Sequence, residues 1–142
     1  MAKRRTGGLP KGNGAGSTAE VPFAVPEWPG PWRMWKLDRI TPYPKNVRTH
    51  PPEQIRLLAE MLTRWGPDQP IVVDENGIIL KGHGRLLAAT AAGFEEFPVV
   101  ERRGLPDAEK SAMRLADNQV ALLAGWDKAL IGSELAELKV AG

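Results

Sequence analysis

The stretch on either side of Asn76-Gly77 constrains the fold of this chain more than any other part of the sequence. Asn-Gly between two apolar runs is a strong signal for a tight hairpin turn, so we predict strands over Pro70–Val73 and Ile78–Leu80. The run Gly82-His83-Gly84-Arg85 follows, and an Ala- and Leu-rich helix is predicted from about Arg85 to Ala92. Two strands that lead through glycines into a helix predict a mixed α/β domain.

Strands and helices alternate along the chain on both sides of this hairpin. Pro51 and Pro52 suit the first turn of a helix. Apolar residues spaced i, i+3, i+4 and i+7 give that helix one apolar face, and Gly66 ends it. Two further strands are predicted, over Trp35–Ile40 and Phe97–Glu101.

The C-terminal third is predicted to be helical. Pro106 opens a helix that ends at Asp117 and Asn118, and Asp127 caps a last helix. We expect the fold class to be α/β (α+β), a small mixed sheet with helices. The buried stripe of the last helix is predicted to consist of Leu130, Ile131, Leu135 and Leu138.

The net charge of +2 belongs to the N-terminal segment. Residues 1–31 carry four basic and two acidic side chains, whereas residues 32–142 carry fifteen of each. Residues 1–31 are also rich in Gly and Pro and show no apolar period, so we predict a disordered basic tail over 1–31 and one domain over 32–142. The tail could contact nucleic-acid phosphates non-specifically, or it could be a solvated tail that aids solubility.

Composition excludes several kinds of protein and site. The chain of 142 residues has no cysteine, which excludes disulfides, thiolate zinc sites and cysteine nucleophiles. It has two histidines, His50 and His83, too few for a histidine-rich metal site. No apolar run approaches the roughly 20 residues that span a bilayer, so we expect a cytoplasmic protein. No phosphate-binding P-loop, zinc-protease motif or hydrolytic triad is present.

Three polar constellations are candidates for chemistry. The first is the turn at 82–85, where two glycines and a helix start would form an anion site with Lys81 and Arg85, unless the glycines serve only the geometry of the connection. The second is the loop 42–50, which concentrates Lys45, Asn46, Arg48 and His50. Residues 33–64 sum to +4 and residues 65–142 to −4, although a charged helix face would explain this equally.

The third constellation is Asp117-Asn118. A carboxylate beside a carboxamide can hold a divalent cation together with substrate phosphates, but the same pair also commonly ends helices. A tryptophan cluster at 28–35 has two interpretations as well. Trp28, Trp32 and Trp35, together with the basic residues Arg33 and Lys36, could stack on bases or could cap the edge of the core.

In this order the three constellations resemble the ParB N-terminal domain, part of the ParB/sulfiredoxin-like superfamily, over roughly residues 35–138. The residues of its motifs are similar to those of a branch that is found with phage or plasmid genes and with DNA modification methyltransferases. This group of proteins has long been labelled nuclease-like. The motifs that carry the resemblance are Asn46-x-Arg48-x-His50, Gln69-Pro70-Ile71-Val72-Val73, Gly82-His83-Gly84-Arg85, Asp117-Asn118 and Gly125-Trp126-Asp127.

The resemblance implies a domain that binds a nucleoside triphosphate, CTP or ATP, with Mg²⁺. Lys81, Gly82, His83, Gly84 and Arg85 would then bind the phosphates, with Arg48 and His50 closing the other side. Asp117 and Asn118 would bind the metal, and Asp117 is the candidate catalytic residue.

The sequence also departs from the family. Segregation ParB proteins have Glu-Arg-Arg where this chain has His83-Gly84-Arg85, and Glu where it has Asp117. The lack of a cysteine in the turn excludes sulfiredoxin chemistry. The chain ends at Gly142, so we expect no helix-turn-helix domain and no sequence-specific DNA reading by this polypeptide alone.

Three functions follow as hypotheses. The first is a stand-alone nucleotide-binding ParB-like domain, a possible NTPase, in phage or plasmid DNA metabolism of a bacterial cell. The second is a metal-dependent DNA nuclease. The third is a non-catalytic adaptor that binds DNA, a methyltransferase or a phage packaging protein.

Overall fold

The computed structural model describes residues 30–141 as a four-stranded mixed sheet with four α-helices. The mixed α/β class is therefore confirmed. The predicted disordered tail lies, except for its last two residues, outside the described part, as does Trp28. No helix within residues 30–141 is both long enough and apolar enough to cross a membrane. The strands are Arg33–Lys36 (β1), Ile71–Asp74 (β2), Ile79–Lys81 (β3) and Glu96–Arg102 (β4), and the helices are Pro52–Trp65 (α1), His83–Ala91 (α2), Asp107–Leu123 (α3) and Lys128–Ala141 (α4).

The strands lie side by side in the order β1-β4-β2-β3. β4 pairs antiparallel with β1 and parallel with β2, while β2 and β3 form the predicted antiparallel hairpin. Gly77 turns the hairpin with a φ of +75°, and a Cβ there would lie 2.8 Å from the carbonyl oxygen of Arg39. β3 is the last strand in this order and so lies at an edge of the sheet, and the chain continues from it directly into α2.

The core lies between the sheet and α2. Ile71, Val73 and Ile79 from the hairpin are fully buried, together with Phe97 and Val99 from β4. The helix contributes mainly small residues to this contact, and their short side chains let it approach the sheet closely. The buried residues of α2 are Gly84, Leu86, Ala88 and Ala89.

α1 packs against α2 and covers the core from outside. Its predicted apolar face is confirmed as the inner face, but the face is half-buried and no residue of the helix is fully buried. Leu62 reaches the core cluster. Gly66 ends the helix with a φ of +80°, as its position before Pro67 predicts.

The predicted strand over Trp35–Ile40 is wrong in its second half. β1 ends at Lys36, and a 3-10 turn over Leu37–Arg39 replaces the rest. The turn lets Arg39 place its guanidinium 4.3 Å from the centre of the Trp35 ring, and it brings Ile40 into the core. Trp35 thus packs at the edge of the core, whereas Trp32 is exposed.

Two predictions for the C-terminal third are also wrong. α3 does not end at Asp117-Asn118 but continues to Leu123, so the pair lies inside a helix. Asp127 does cap α4, accepting hydrogen bonds from the N–H groups of Ala129 and Leu130 at 3.0 and 3.1 Å. Three of the four residues of the predicted buried stripe of α4 are exposed, Leu130 by 66%, Leu135 by 53% and Leu138 by 65%, whereas Ile131 is half-buried. The helix follows an extended connection after α3 and packs little against the other elements of residues 30–141.

Candidate functional site

The junction between β3 and α2 has a backbone conformation that favours glycine. Gly82 has a φ of +105°, in the left-handed region that L-side chains rarely adopt. A Cβ at this position would lie 3.1 Å from Nη1 of Arg85 and 3.2 Å from Cγ1 of Ile71. The backbone therefore turns in contact with β2, and α2 begins at the edge of the sheet.

The first turn of α2 offers free backbone donors. The first α-helical hydrogen bond runs from the N–H of Leu86 to the carbonyl of Gly82, at 3.1 Å. The N–H groups of the three residues between them have no acceptor within the helix. The described residues provide no side-chain cap, and this turn contains no acidic residue. The positive end of the helix dipole is thus open to an anion.

His50 lies against the second glycine of the turn. A Cβ on Gly84 would be 3.0 Å from Cε1 of His50, so the glycine makes room for the imidazole ring. Nδ1 of His50 lies 3.0 Å from Oε1 of Gln54 on α1. Because an amide oxygen only accepts, this contact is a hydrogen bond in the tautomer whose Nδ1 carries the proton. Nε2 of His50 is buried and has no hydrogen-bond partner within residues 30–141.

His83 connects the turn to the loop at 42–50. Its Nε2 accepts a hydrogen bond from the backbone N–H of Tyr43 at 3.1 Å, which requires a neutral ring. Burial, followed by the electrostatic influence of His50 and Arg114, lowers the pKa of His83 below its ordinary value. The lowered pKa favours the neutral ring, which can accept the hydrogen bond from Tyr43 and so hold the loop against the turn.

Arg85 is directed from the turn toward the start of β2. Its Nη1 donates to the carbonyl of Pro70 at 3.1 Å, and its Nη2 donates to Oε1 of Gln69 at 2.6 Å. Burial lowers the pKa of Arg85, opposed by the nearby carboxylates of Asp117 and Asp68. Arg85 thus contributes positive charge to the site while both terminal nitrogens bind the protein.

The opposite wall of the site comes from α3. Asp117 Oδ1 lies 3.5 Å from Nζ of Lys81, and Asn118 Oδ1 accepts from Nη1 of Arg48 at 3.3 Å. One helical turn earlier, Arg114 donates from Nε to the carbonyl of Ile79 at 2.9 Å. The acidic and amide side chains are thus paired with two of the cations that the sequence predicts to bind phosphates, Lys81 and Arg48.

These walls enclose a cleft of about 230 Å³. A larger open groove of about 820 Å³ between α1 and α2 shares only His50 with it. Lys45 does not line the cleft, although it lies in the same loop as Arg48. The structure brings together all nine predicted site residues in the lining of the cleft: Arg48, His50, Lys81, Gly82, His83, Gly84, Arg85, Asp117 and Asn118.

Three polar residues of the lining were not predicted as site residues, which are Gln54, Gln69 and Arg114. Helical spacing could have found Arg114, because it lies three and four residues before Asp117 and Asn118 and so on the same face of α3. The two glutamines lie on separate elements, and no spacing in the sequence connects them to the turn.

The predicted metal ligands fit Mg²⁺ only in part. Within residues 30–141 no group of three or more His, Asp or Glu side chains is arranged so that it could hold a metal ion by itself. Asp117 supplies one carboxylate and Asn118 one amide oxygen. Mg²⁺ is commonly bound by one or two carboxylates, with substrate phosphates and water completing the shell. The pair therefore fits a Mg²⁺ whose remaining ligands would be nucleotide phosphates and water. It does not provide a complete set of protein ligands.

Comparison with known proteins places this chain in a family. Residues 32–119 match the ParB N-terminal domain. The ParB-like nuclease domain-containing protein YnaK of Escherichia coli K12 is 39% identical over 74 residues, which cover 52% of this chain and 85% of YnaK.

Solved structures share the fold. A C-terminally truncated ParB from Caulobacter crescentus, complexed with CTP-γ-S, has a TM-score of 0.61 at 24% identity. The match covers 69% of this chain and only 57% of the ParB chain. Sulfiredoxin from Arabidopsis thaliana has a TM-score of 0.50 at 20% identity, over 61% of this chain and 98% of sulfiredoxin. The predicted resemblance is confirmed, and the chain belongs to the ParB N-terminal domain family.

Proposed function

We propose that this domain binds the phosphates of a nucleoside triphosphate, CTP or ATP, in the cleft between α2 and α3. The convergence of cations on the uncapped start of α2 carries the proposal. Four of the charged side chains that line the cleft are basic and one, Asp117, is acidic. The basic ones come from four separate parts of the chain: Arg48, Lys81, Arg85 and Arg114.

The size of the cleft indicates which part of the nucleotide it would hold. Sites that enclose a drug-sized ligand have volumes of roughly 300–1,000 Å³. At about 230 Å³, the cleft suits a chain of phosphates better than a complete nucleotide. The nucleoside would extend into an adjoining cavity, either the one of about 200 Å³ beside Trp65 or the one of about 170 Å³ beside Tyr43.

Mg²⁺ belongs to the proposal because the carboxylate of Asp117 would repel a triphosphate, which is also negatively charged, and a divalent cation bound to both removes this repulsion. Asp117 and Asn118 would hold the ion beside the phosphates, and Lys81 and Arg48 would turn from these side chains to the phosphate oxygens. When bound, the ion would neutralise phosphate charge. The ParB from Caulobacter crescentus that shares this fold was solved with CTP-γ-S, which supports testing CTP first.

The proposed setting is phage or plasmid DNA metabolism, with DNA as a non-specific partner and a methyltransferase or packaging protein as a further one. The excess of basic residues between 33 and 64 supports contact with phosphates of a backbone. A truncated Caulobacter ParB solved with the centromeric parS site, 26% identical with a TM-score of 0.52 over 61% of this chain, supports DNA as the partner.

Calorimetric titration with CTP and ATP in Mg²⁺ tests nucleotide binding, and phosphate release on the same samples tests turnover. Arg48→Gln removes a cleft cation at an exposed position and should weaken binding by about tenfold or more, because charge-assisted hydrogen bonds to phosphate are lost. Arg103→Gln removes an equal charge from an exposed pair with Glu101 outside the cleft, and should leave binding unchanged. Absence of binding by the native protein, or equal losses in both variants, contradicts the proposal.

A metal-dependent DNA nuclease is the second candidate, favoured by the nuclease domain for which the relative YnaK is named. In that case Asp117 would bind the catalytic metal and the cleft cations would hold the DNA backbone. Plasmid cleavage in Mg²⁺ or Mn²⁺ by the native protein and by Asp117→Asn decides this. Cleavage that disappears in the variant supports a nuclease, and equal cleavage by both proteins rejects it.

A further inference from the structure

We infer that Arg114 is a phosphate-binding residue of the cleft, which Tyr43 and the backbone of β3 hold ready for the ligand. This inference rests on the proposed function and assigns a role there to a residue of α3. The starting observation is that Arg114 lines the cleft on the wall opposite the turn.

The guanidinium of Arg114 is fixed from two directions. Its Nε donates to the carbonyl of Ile79 at 2.9 Å, and its central carbon lies 3.7 Å from the centre of the Tyr43 ring. A guanidinium stacked on an aromatic face and tied at Nε has a defined plane. This arrangement removes much of the side-chain freedom that binding a ligand would otherwise have to remove.

Neither contact uses the two terminal nitrogens. Nη1 and Nη2 of Arg114 have no hydrogen-bond acceptor and no ion-pair partner in the part of the chain that the structure describes. Those two atoms form the fork that binds two oxygens of one phosphate. The protein holds Arg114 by its Nε and by the plane of its guanidinium, and it leaves Nη1 and Nη2 free. This arrangement is preorganised to bind an anion.

The other cations of the cleft differ from Arg114 in this respect. Arg85 gives both terminal nitrogens to Gln69 and Pro70, and Lys81 faces Asp117. Arg48 gives one of its terminal nitrogens to Asn118. Each of them already has a protein partner at its charged end, so Arg114 is the cleft cation whose bidentate side is most fully available.

The position of Arg114 on α3 also points it to the turn. Lys110, Arg114, Asp117 and Asn118 follow one another at helical spacing and form the buried and half-buried face of α3. The electrostatic influence of Arg114 reaches His83 in the turn, where it contributes to the lowered pKa of that ring. Arg114 and the first turn of α2 line the same cleft, so we assign the fork and the open N–H groups of α2 to one anion site.

The competing explanation is that Arg114 only ties α3 to the sheet. That role predicts a loss of stability on substitution with no specific loss of phosphate affinity in a variant that stays folded. Titration with inorganic tripolyphosphate separates the two explanations, because the probe has no base or ribose. Melting temperatures of the same samples report the structural contribution.

The informative variants are Arg114→Gln, Arg114→Lys and a control, Arg64→Gln. Arg64 is an exposed arginine that stacks 5.2 Å from the centre of the Trp65 ring and does not line the cleft. Arg114→Gln should bind tripolyphosphate about 10- to 100-fold more weakly, because hydrogen bonds to charged groups are lost. Arg114→Lys keeps the charge without the fork and should show a smaller loss, and Arg64→Gln should bind like the native protein.

The outcomes are distinct. If Arg114→Gln does not fold, Arg114→Lys decides, and native-like binding by that variant overturns the inference. If folded Arg114→Gln binds tripolyphosphate normally while Arg48→Gln does not, the inference is overturned and the proposed function stands. If the native protein binds neither tripolyphosphate nor any nucleoside triphosphate, both are overturned.

Discussion

The two walls of the cleft are built by different physical means. The turn wall, Gly82–Arg85, continues from a strand in the buried core, and the helix that follows packs Leu86 and Ala89 against the sheet. The α3 wall meets the edge of the sheet through polar contacts. Lys110 pairs with Asp74 and Glu75, and Arg114 bonds to the carbonyl of Ile79.

The two walls are therefore held in place by interactions that respond differently to conditions. Burial of apolar groups is non-directional and is not weakened by the ionic screening that weakens charge pairs, so the turn wall should remain in place under conditions that keep the domain folded. Ion pairs and charged hydrogen bonds depend on geometry, salt and the partners available. The α3 wall should therefore respond to a bound anion and to substitutions far more than the turn wall does.

The largest effect is expected from a substitution that removes the common support of both walls. Ile79 is fully buried in β3, and its carbonyl receives Arg114. Ile79→Ala should lower the free energy of unfolding by about 2–5 kcal/mol, because it leaves a cavity in the core. Urea unfolding measures this. Ile79→Val is the matched control and should cost about 0.5–1.5 kcal/mol; equal losses would show that this core position is not closely packed.

A substitution in the turn itself should have the next largest effect. Gly82→Ala places a Cβ at a φ of +105° and 3.2 Å from Ile71. Strain of this kind costs about 1–3 kcal/mol, and the turn cannot relax without moving β2. Gly93→Ala is the control, since its φ is +80° but a Cβ there has nothing within 4 Å. Urea unfolding that shows the same loss at both positions would mean that φ alone, and not contact with the core, restricts Gly82.

The sequence predicted the turn wall well because its signals are local. Asn76-Gly77 fixed the hairpin, and glycines between a strand and a helix indicated the junction. The same local signals failed at Leu37–Arg39, where contacts with Trp35 and with the hairpin turn favour a 3-10 turn over a strand. Local propensity could not show these contacts, because they depend on tertiary structure.

The α3 wall was harder to predict because its contacts join distant parts of the chain. Asp117 and Asn118 were identified as site residues, but their partners Lys81 and Arg48 lie far away in sequence. The role of Lys110 as a buried anchor has no sequence signal, since an isolated lysine in an amphipathic helix predicts an exposed side chain. The stripe of α4 was predicted to be buried from its pattern alone, which does not show whether a helix reaches the core.

Loosening of the α3 wall should be visible after Lys110→Met. Lys110 is only 6% exposed and lies 3.2 Å from Asp74 and 2.9 Å from Glu75. Loss of its ammonium leaves the buried carboxylate of Asp74 without its cation, so α3 should open more often. Amide hydrogen exchange in α3 should become about tenfold faster, with a smaller change in β2 and β4.

The control for this substitution is Arg103→Gln, which removes an ion pair with Glu101 at the surface. Exposed pairs contribute little to stability, so exchange should be unchanged there. Uniform acceleration over the whole domain after Lys110→Met would contradict the comparison, because it would show that α3 and the sheet open as one unit.

The smallest effect is expected from protonation of His83, which joins the turn wall to the loop at 42–50. The folded state lowers the pKa of His83 from its ordinary 6.5, mainly through burial. The unfolded chain therefore binds the proton more readily, and the stabilising contribution is complete above pH 6.5 and declines as pH falls below it. The melting temperature should be lower at pH 5.5 than at pH 7.5.

His83→Gln isolates this contribution. The amide oxygen of glutamine can accept the hydrogen bond of Tyr43 but does not titrate, so the dependence on pH should become weaker. His50→Gln is the matched control, because it removes the other histidine and leaves His83 in place. The range from pH 7.5 to 5.5 lies above the ordinary pKa of carboxylates such as Asp74, which keeps their protonation out of the measurement. If His83→Gln retains the full dependence on pH while His50→Gln loses it, the proton that matters binds to His50, and the contact of His83 with the loop does not govern the pH response of the turn wall.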